Sequence, residues 1–212
     1  VDNEEFEVRD AKSGEDLTRS VLMQIIAEHE EHGQPMFSTQ LLTQIILPAL
    51  KLLPAAMNSI EALVMLVAIA LQESNLEHRW QVIDPKRPGK KGPARGLWQF
   101  ELGTKASKGG VWGVYLHPSS RYWLAQVCAA RGVAFEPRAI WLALETDDLL
   151  ACCVARLLLF TDPKKLPSIS DVMGAWTLYR VRTWRPGKPH PEKWADNHAA
   201  AALAVQDIGG AA

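Results

Sequence analysis

The residues best suited to chemistry are two glutamates, Glu73 and Glu101, with a Gly-, Trp- and Gln-bearing turn between them. Glu73 stands in "ALQESNLEHRW" (70–80), where an apolar helix is expected to run straight into a carboxylate. A carboxyl at the end of a buried helix is costly to charge, so its pKa should rise. A carboxylic acid kept protonated near neutral pH is a general acid. Glu101 closes "GPARGLWQFE" (92–101). There Gly92 and Gly96 allow a tight backbone that a polymer could approach closely. Trp98 offers a flat face for a sugar ring, and Gln99 supplies both a donor and an acceptor. Two carboxyls facing one cleft are the standard kit for glycoside cleavage. The competing explanation is that a helix-end carboxylate is simply solvated.

Other chemistries find less support. Ser74 and Tyr179 have no His–Asp partners arranged for nucleophilic catalysis. "HEEH" (29–32) lacks the spacing of a zinc-protease helix, and no phosphate-cradling Gly-Lys-Ser/Thr loop occurs. Cys128, Cys152 and Cys153 are odd in number and lack metal-ligand spacing, so buried reduced thiols are expected. No metal and no cofactor is expected. Lys86, Arg87, Lys90, Lys91 and Arg95 form a basic loop that is either solvated or attractive to an anionic polymer. Trp184, Arg185, His190 and Trp194 could line sugar subsites, although a tryptophan is more often core.

The elements that must position these groups are helical. Ser59 is a good N-cap for a helix carrying Ala62, Leu63, Leu66, Val67, Ala70 and Leu71. After the Pro/Gly/Lys loop "DPKRPGKKGP", helices are expected in "PSSRYWLAQVCAARG", "PRAIWLALETDD", "DDLLACCVARLLLF" and "SISDVMGAWTLYRVRTW", with a last one through Trp194 and the Ala-rich tail. No strand pattern is evident after residue 48. Before it, "EEFEVRD" reads as a short strand, followed by a helix to Gly33 and a second, capped by Ser38, ending at Pro48. The expected fold is therefore mainly α, a helical domain preceded by a small strand-helix-helix segment.

Charge divides the chain in the same place. Residues 1–47 hold ten acidic and three basic side chains, and the remainder fourteen and twenty, within a net charge of −1. Two modules, 1–47 and 48–212, are the natural expectation. The longest apolar run, Ala62 to Leu71, is too short to span a bilayer. The acidic opening residues lack a secretory signal, so synthesis in the cytoplasm is expected.

"QESNLEHRW…GPARGLWQFE" resembles the lysozyme-like superfamily of soluble lytic transglycosylases, goose-type lysozymes and phage muralytic enzymes. Glu73-Ser74 matches its Glu-Ser element, and Gly96-Leu97-Trp98-Gln99 its Gly-Leu-Met-Gln, with Trp98 in the Met position. The resemblance runs from residue 48 to about 205. It implies a lysozyme-like fold and cleavage of the bond between N-acetylmuramic acid and N-acetylglucosamine in peptidoglycan. Glu73 would protonate the glycosidic oxygen. Either Glu73 then acts as base while the muramyl 6-hydroxyl closes a 1,6-anhydro ring, or Glu101 positions water. The family's Tyr against the catalytic acid has two candidates here, Trp176 and Tyr179, and the accompanying Asn-Gly pair is missing. Action at the cell wall after phage-type release, or from a virion, is implied.

The segment "EEFEVRDAKSGEDLTRSVLMQIIAEHEEHGQPMFSTQLLTQII" resembles a different family, the polyhydroxyalkanoate synthesis repressors, which bind DNA and polyester granules. The basic segment that normally precedes this stretch is absent. An acidic piece without a basic arm is a poor partner for phosphates, so nucleic acid is not expected. Association of copies through residues 1–57 is expected instead, since apolar helix faces need a partner. The alternative is a regulator of polyhydroxyalkanoate synthesis carrying a catalytically silent lysozyme-like domain.

Overall fold

The structure, a computed structural model, describes residues 37–87 and 89–209. The chain divides between Pro35 and Met36, and the described residues belong to the second unit. The strand and first helix expected before Gly33 lie outside them. The unit opens with α1 (residues 38–50), α-helical over Ser38–Gln40, π-helical over Leu41–Ile46 and α-helical again over Leu47–Leu50. Phe37, not Ser38, occupies the N-cap, and Gln40 reaches back to accept its N–H at 3.0 Å. The run also continues past Pro48, where a stop was expected. A π-turn widens the preceding coil, easing the clash that a proline ring makes with the turn before it.

Leu41, Leu42, Ile45, Ile46, Ala49 and Leu50 are all buried, and α1 lies against two central helices of the same unit. The module joint expected near residue 47 therefore falls inside a helical run that belongs wholly to the second unit. The apolar face of residues 41–57, expected to hold copies together, is covered by the chain's own core.

Those central helices are α2 (Ile60–Ser74) and, later, α6 (Asp148–Phe160). Ser59 caps α2 as expected, accepting the Ala62 N–H at 3.3 Å. Every residue of α2 from Val64 through Ala70 is buried, and likewise every residue of α6 from Leu150 through Leu157. A helix apolar on all sides must be wrapped by others. Helices α1, α3 (Gly110–Leu116), α4 (Pro118–Ala130) and α8 (Pro191–Gly209) pack on α2 and α6, and α5 (Pro137–Ala143) and α7 (residues 172–183) complete the helices among the described residues. Arg156 ties α6 to the 3-10 turn Ala55–Met57 through a 2.7 Å bond to the Met57 carbonyl, and burial lowers its pKa to about 10. The three cysteines are buried free thiols, and burial pushes Cys128 to about 11 and Cys153 to about 12.

Mainly α is the observed class, but the unit is not all-α. β1 (Trp80–Val82) pairs antiparallel with β2 (Lys91–Arg95), Trp80 opposite Arg95 and Val82 opposite Lys91. Three residues are too few to display a period of two, and "KGPAR" carries a Gly and a Pro that read as loop. Helix α3 falls outside the helices expected from the sequence; Gly110 and Gly113 depress helix propensity there. Among the described residues, no helix is long and apolar enough to cross a membrane.

One site residue is reassigned by packing. Trp98, expected as a sugar platform, is 0% exposed, and its indole N–H donates to the Leu66 carbonyl in mid-α2 at 2.9 Å. It is a core residue that bolts the turn to the central helix. Trp98→Ala should lower the unfolding free energy by about 3–5 kcal/mol, measured by denaturant titration; a loss below about 1 kcal/mol would contradict this role.

Candidate active site

Glu73 is the penultimate residue of α2, and the chain reverses immediately behind it. Asn75 and Leu76 both take left-handed backbone, at φ 50° and 61°. Ser74 stabilises the reversal: its hydroxyl donates to the Ala70 carbonyl at 3.0 Å and accepts the Leu76 N–H at 3.2 Å. Ser74 lines the cleft, but its hydrogen bonds go to backbone. Asparagine tolerates this conformation and leucine does not, so the second position is held by the burial of Leu76 in the core.

The Glu73 carboxyl is half-buried in a cleft of about 320 Å³. Tyr179 donates its hydroxyl to Glu73 Oε1 at 2.8 Å. Burial raises the Glu73 pKa from 4.5 to about 7; the Tyr179 hydrogen bond opposes the rise, and the nearby charge of Glu101 adds to it. Tyr179 itself is pushed well above the ordinary phenol, by burial first and then by the Glu73 charge it faces. Of the two aromatics proposed to contact the acid, Tyr179 does so. Trp176 backs it instead, 5.6 Å from the Tyr179 ring and 5.4 Å from that of Trp194.

Tyr179 is aimed by an irregular helix. α7 begins behind Asp171, whose carboxylate accepts the Gly174 N–H at 2.8 Å, and passes from α-helix into π-helix at Leu178–Thr183. The Trp184 N–H reaches back five residues to the Tyr179 carbonyl at 3.0 Å. Stacking of the Tyr179 ring on Trp194, 5.0 Å between centroids and 6° from parallel, fixes the remaining freedom.

The Gly96–Gln99 stretch is a tight turn closed by paired backbone bonds between Arg95 and Phe100 at 2.9 and 2.8 Å. Gly96 needs its positive φ of 72° there, and a Cβ on it would stand 2.9 Å from the Leu144 carbonyl. The close approach that glycine permits is thus to α5's end, not to a polymer. At Gly92 it is to Gln81, 2.5 Å from where a Cβ would be. Gln99 turns back to the cleft, donating to the carbonyls of Gly96 at 2.8 Å and His78 at 3.3 Å. It ties the turn to the loop behind Glu73.

Glu101 is exposed and does not line this cleft, though Glu73 feels its charge. The basic loop is largely engaged with the protein's own carboxylates. Lys91 pairs with Glu145, Arg95 with the same Glu145 at 2.9 Å, and Arg87 with Asp84 at 2.8 Å. Trp194 is core, Trp184 donates to the Trp98 carbonyl at 3.0 Å, and His190 lines the cleft. Among the described residues no cluster of His, Cys, Asp and Glu is placed to hold a metal.

Sequence reasoning missed the far wall. Gln72 donates to the carbonyls of Pro189 at 2.7 Å and His190 at 3.0 Å, and accepts from the Asn197 amide at 2.8 Å. Asn197 and Lys193 of α8 join the lining, as do His78, Trp80 and Gln81. Nothing local marks Gln72 or Asn197, because their partners lie more than a hundred positions away.

Comparison with known proteins informs a different part of the chain. Residues 1–33 match the family described as the PHB/PHA accumulation regulator DNA-binding domain. A stretch of 41 residues is 51% identical to an uncharacterized protein of Allochromatium vinosum, covering 19% of this chain and 27% of the relative. A stretch of 46 residues is 46% identical to an "uncharacterized protein in phbA 5'region" of Thiocystis violacea, covering 22% of this chain and 33% of the relative. The chain thus spans a third or less of the length of these curated relatives. No solved structure matches.

Two outcomes follow from the carboxyl's environment. Tyr179→Phe removes the one contact that lowers the Glu73 pKa, so the Glu73 titration, followed by carbon NMR of labelled glutamate, should move upward from about 7; a downward move would contradict the assignment. Because the folded pKa lies above the unfolded one, the native state binds the extra proton, and stability is lost as pH rises from 4.5 to about 7. Glu73→Gln should therefore be more stable than wild type by about 2–3 kcal/mol at pH 8 and equal to it near pH 4, in paired thermal melts.

Proposed function

We propose that residues 36–212 form a glycan-cleaving unit acting on peptidoglycan, with Glu73 as the general acid. The observation that carries this reading is a carboxyl whose pKa is raised to about 7, gripped by Tyr179, in a cleft whose walls are polar and apolar in equal measure. Protonated, Glu73 can donate to a glycosidic oxygen; once ionised, it is held by the Tyr179 hydroxyl and can take a proton back. The cleft lining contains a single carboxyl among the described residues. This favours closure of a 1,6-anhydro ring by the muramyl 6-hydroxyl, which needs one group to act in turn as acid and base. Glu101, outside the lining, acts on Glu73 through its charge. The resemblance of the Glu73-Ser74 and Gly96–Gln99 motifs to lysozyme-like muralytic enzymes supports the same substrate.

The match of residues 1–33 favours a second reading for the front of the chain. That family's description is of a DNA-binding domain in a regulator of PHB/PHA accumulation, and it makes nucleic acid a candidate partner of this segment despite its acidic balance. It is the comparison, not the cleft, that supports this reading. A regulator whose second unit is silent is the form it takes if no glycan is cleaved.

One pair of assays separates them. Purified peptidoglycan incubated with the full chain should release 1,6-anhydro muropeptides, identified by mass spectrometry, with activity falling as pH rises through about 7. Glu73→Gln should be slower by about 10²–10⁴-fold. Reducing-end products would move the second step to water. No product from wild type, together with duplex DNA binding that weakens steeply between low and moderate salt, would establish the regulator reading and remove the enzymatic one.

A further inference from the structure

The cleft has a charged residue that the proposed chemistry does not use. Glu73 carries the one carboxyl of the lining and Lys193 the one lysine or arginine, among the described residues. Lys91 and Arg95 pair with Glu145, and the His190 ring meets Glu192 at 3.0 Å. Lys193 makes no ion pair of its own among the described residues. It touches Glu192 only through its field, the weakest of the influences that hold that carboxyl below its ordinary range.

The position of Lys193 is built rather than incidental. Gln72 precedes Glu73 on α2 and spends its whole amide on the opposite wall, through Pro189, His190 and Asn197. That clamp fixes where α8 stands relative to the acid. Lys193 lies four residues before Asn197 on α8, and residues so spaced share one face of a helix. The Asn197 bond to Gln72 therefore sets Lys193 one turn further along the cleft, at its rim. The strap leading into α8 is bounded by left-handed Arg185 and His190, at φ 50° and 47°, which gives it a definite path onto the clamp.

We infer that Lys193 is a specificity-determining residue that pairs with a carboxylate carried by the glycan, on a peptide or acyl substituent of the sugar, so that the cleft favours anionic strands over neutral ones. This rests on the glycan reading of the cleft. A neutral polysaccharide offers the ammonium nothing but hydroxyls. A carboxylate beside Lys193 forms a charge-assisted bond, about twice as strong as a neutral one.

The test uses the full chain carrying Glu73→Gln, so that ligands bind without turnover, and three probes: peptide-bearing glycan strands, the same strands with their carboxylates amidated, and neutral N-acetylglucosamine oligomers. Binding is read by calorimetry. The unamidated strands should bind about tenfold or more tightly than the amidated ones. Adding Lys193→Gln should erase that difference while leaving the neutral oligomers unaffected, and Lys193→Arg should restore most of it. Lys193 is exposed, so these variants should fold, and circular dichroism checks that they do. Equal affinity for both strand forms, a difference that survives Lys193→Gln, or absence of binding to all three overturns the inference. If discrimination depends on Lys193 but the chain with Glu73 intact cleaves nothing, the inference stands and the catalytic reading falls.

Discussion

The constraint on which the rest of the structure depends is the apolar surface of α2. Because no side of it from Val64 to Ala70 tolerates water, the chain must wrap it completely, and the wrapping ends where the helix ends. Glu73 sits at that edge, three residues past the last buried position. It is far enough out to meet a cleft and far enough in for desolvation to dominate its titration. The same wrapping brings Trp98 onto the Leu66 carbonyl and α7 alongside, so that the acid's surroundings are a by-product of covering a greasy rod.

Around that edge, the irregular parts of the backbone perform most of the positioning. The left-handed pair Asn75–Leu76 turns the chain away from the acid, the Gly96–Gln99 turn sends Gln99 back toward it, and the π-helical stretch starting at Leu178 aims Tyr179. Each departs from regular geometry, and each is supported by neighbours that over-determine it: Ser74 for the first, the Arg95–Phe100 pair for the second, the stack on Trp194 for the third. Strained or unusual backbone persists where surrounding packing is strong enough to hold it.

Much of this was legible in the sequence, and the part that was not has a common cause. The 3.6-residue pattern behind Ser59 gave α2 almost to the residue, and the type of Glu73 at its end gave a candidate acid. The short β-hairpin was hidden because Trp80–Val82 is too brief for a period to emerge. Trp98 was misplaced because an indole's chemistry is the same on a surface as in a core; only its N–H meeting the Leu66 carbonyl distinguishes them. The choice between Trp176 and Tyr179 required knowing how a π-turn rotates the helix face. Gln72 could not be read at all, since an amide one residue from a glutamate has no mark until Asn197 and the Pro189 carbonyl arrive. The split of the chain was displaced because charge changes near residue 47 while burial begins earlier, with Leu41.

The Gln72–Asn197 bond joins positions 125 residues apart, and Tyr179 stands 106 residues beyond the group it serves. During synthesis, α2 and its acid therefore emerge from the ribosome long before the walls that make the acid unusual. Until α7 and α8 follow, Glu73 lacks the phenol that grips it and the part of its burial that they supply. The nascent chain thus carries a carboxyl whose surroundings are not yet built. The raised pKa of Glu73 is a property of the finished fold.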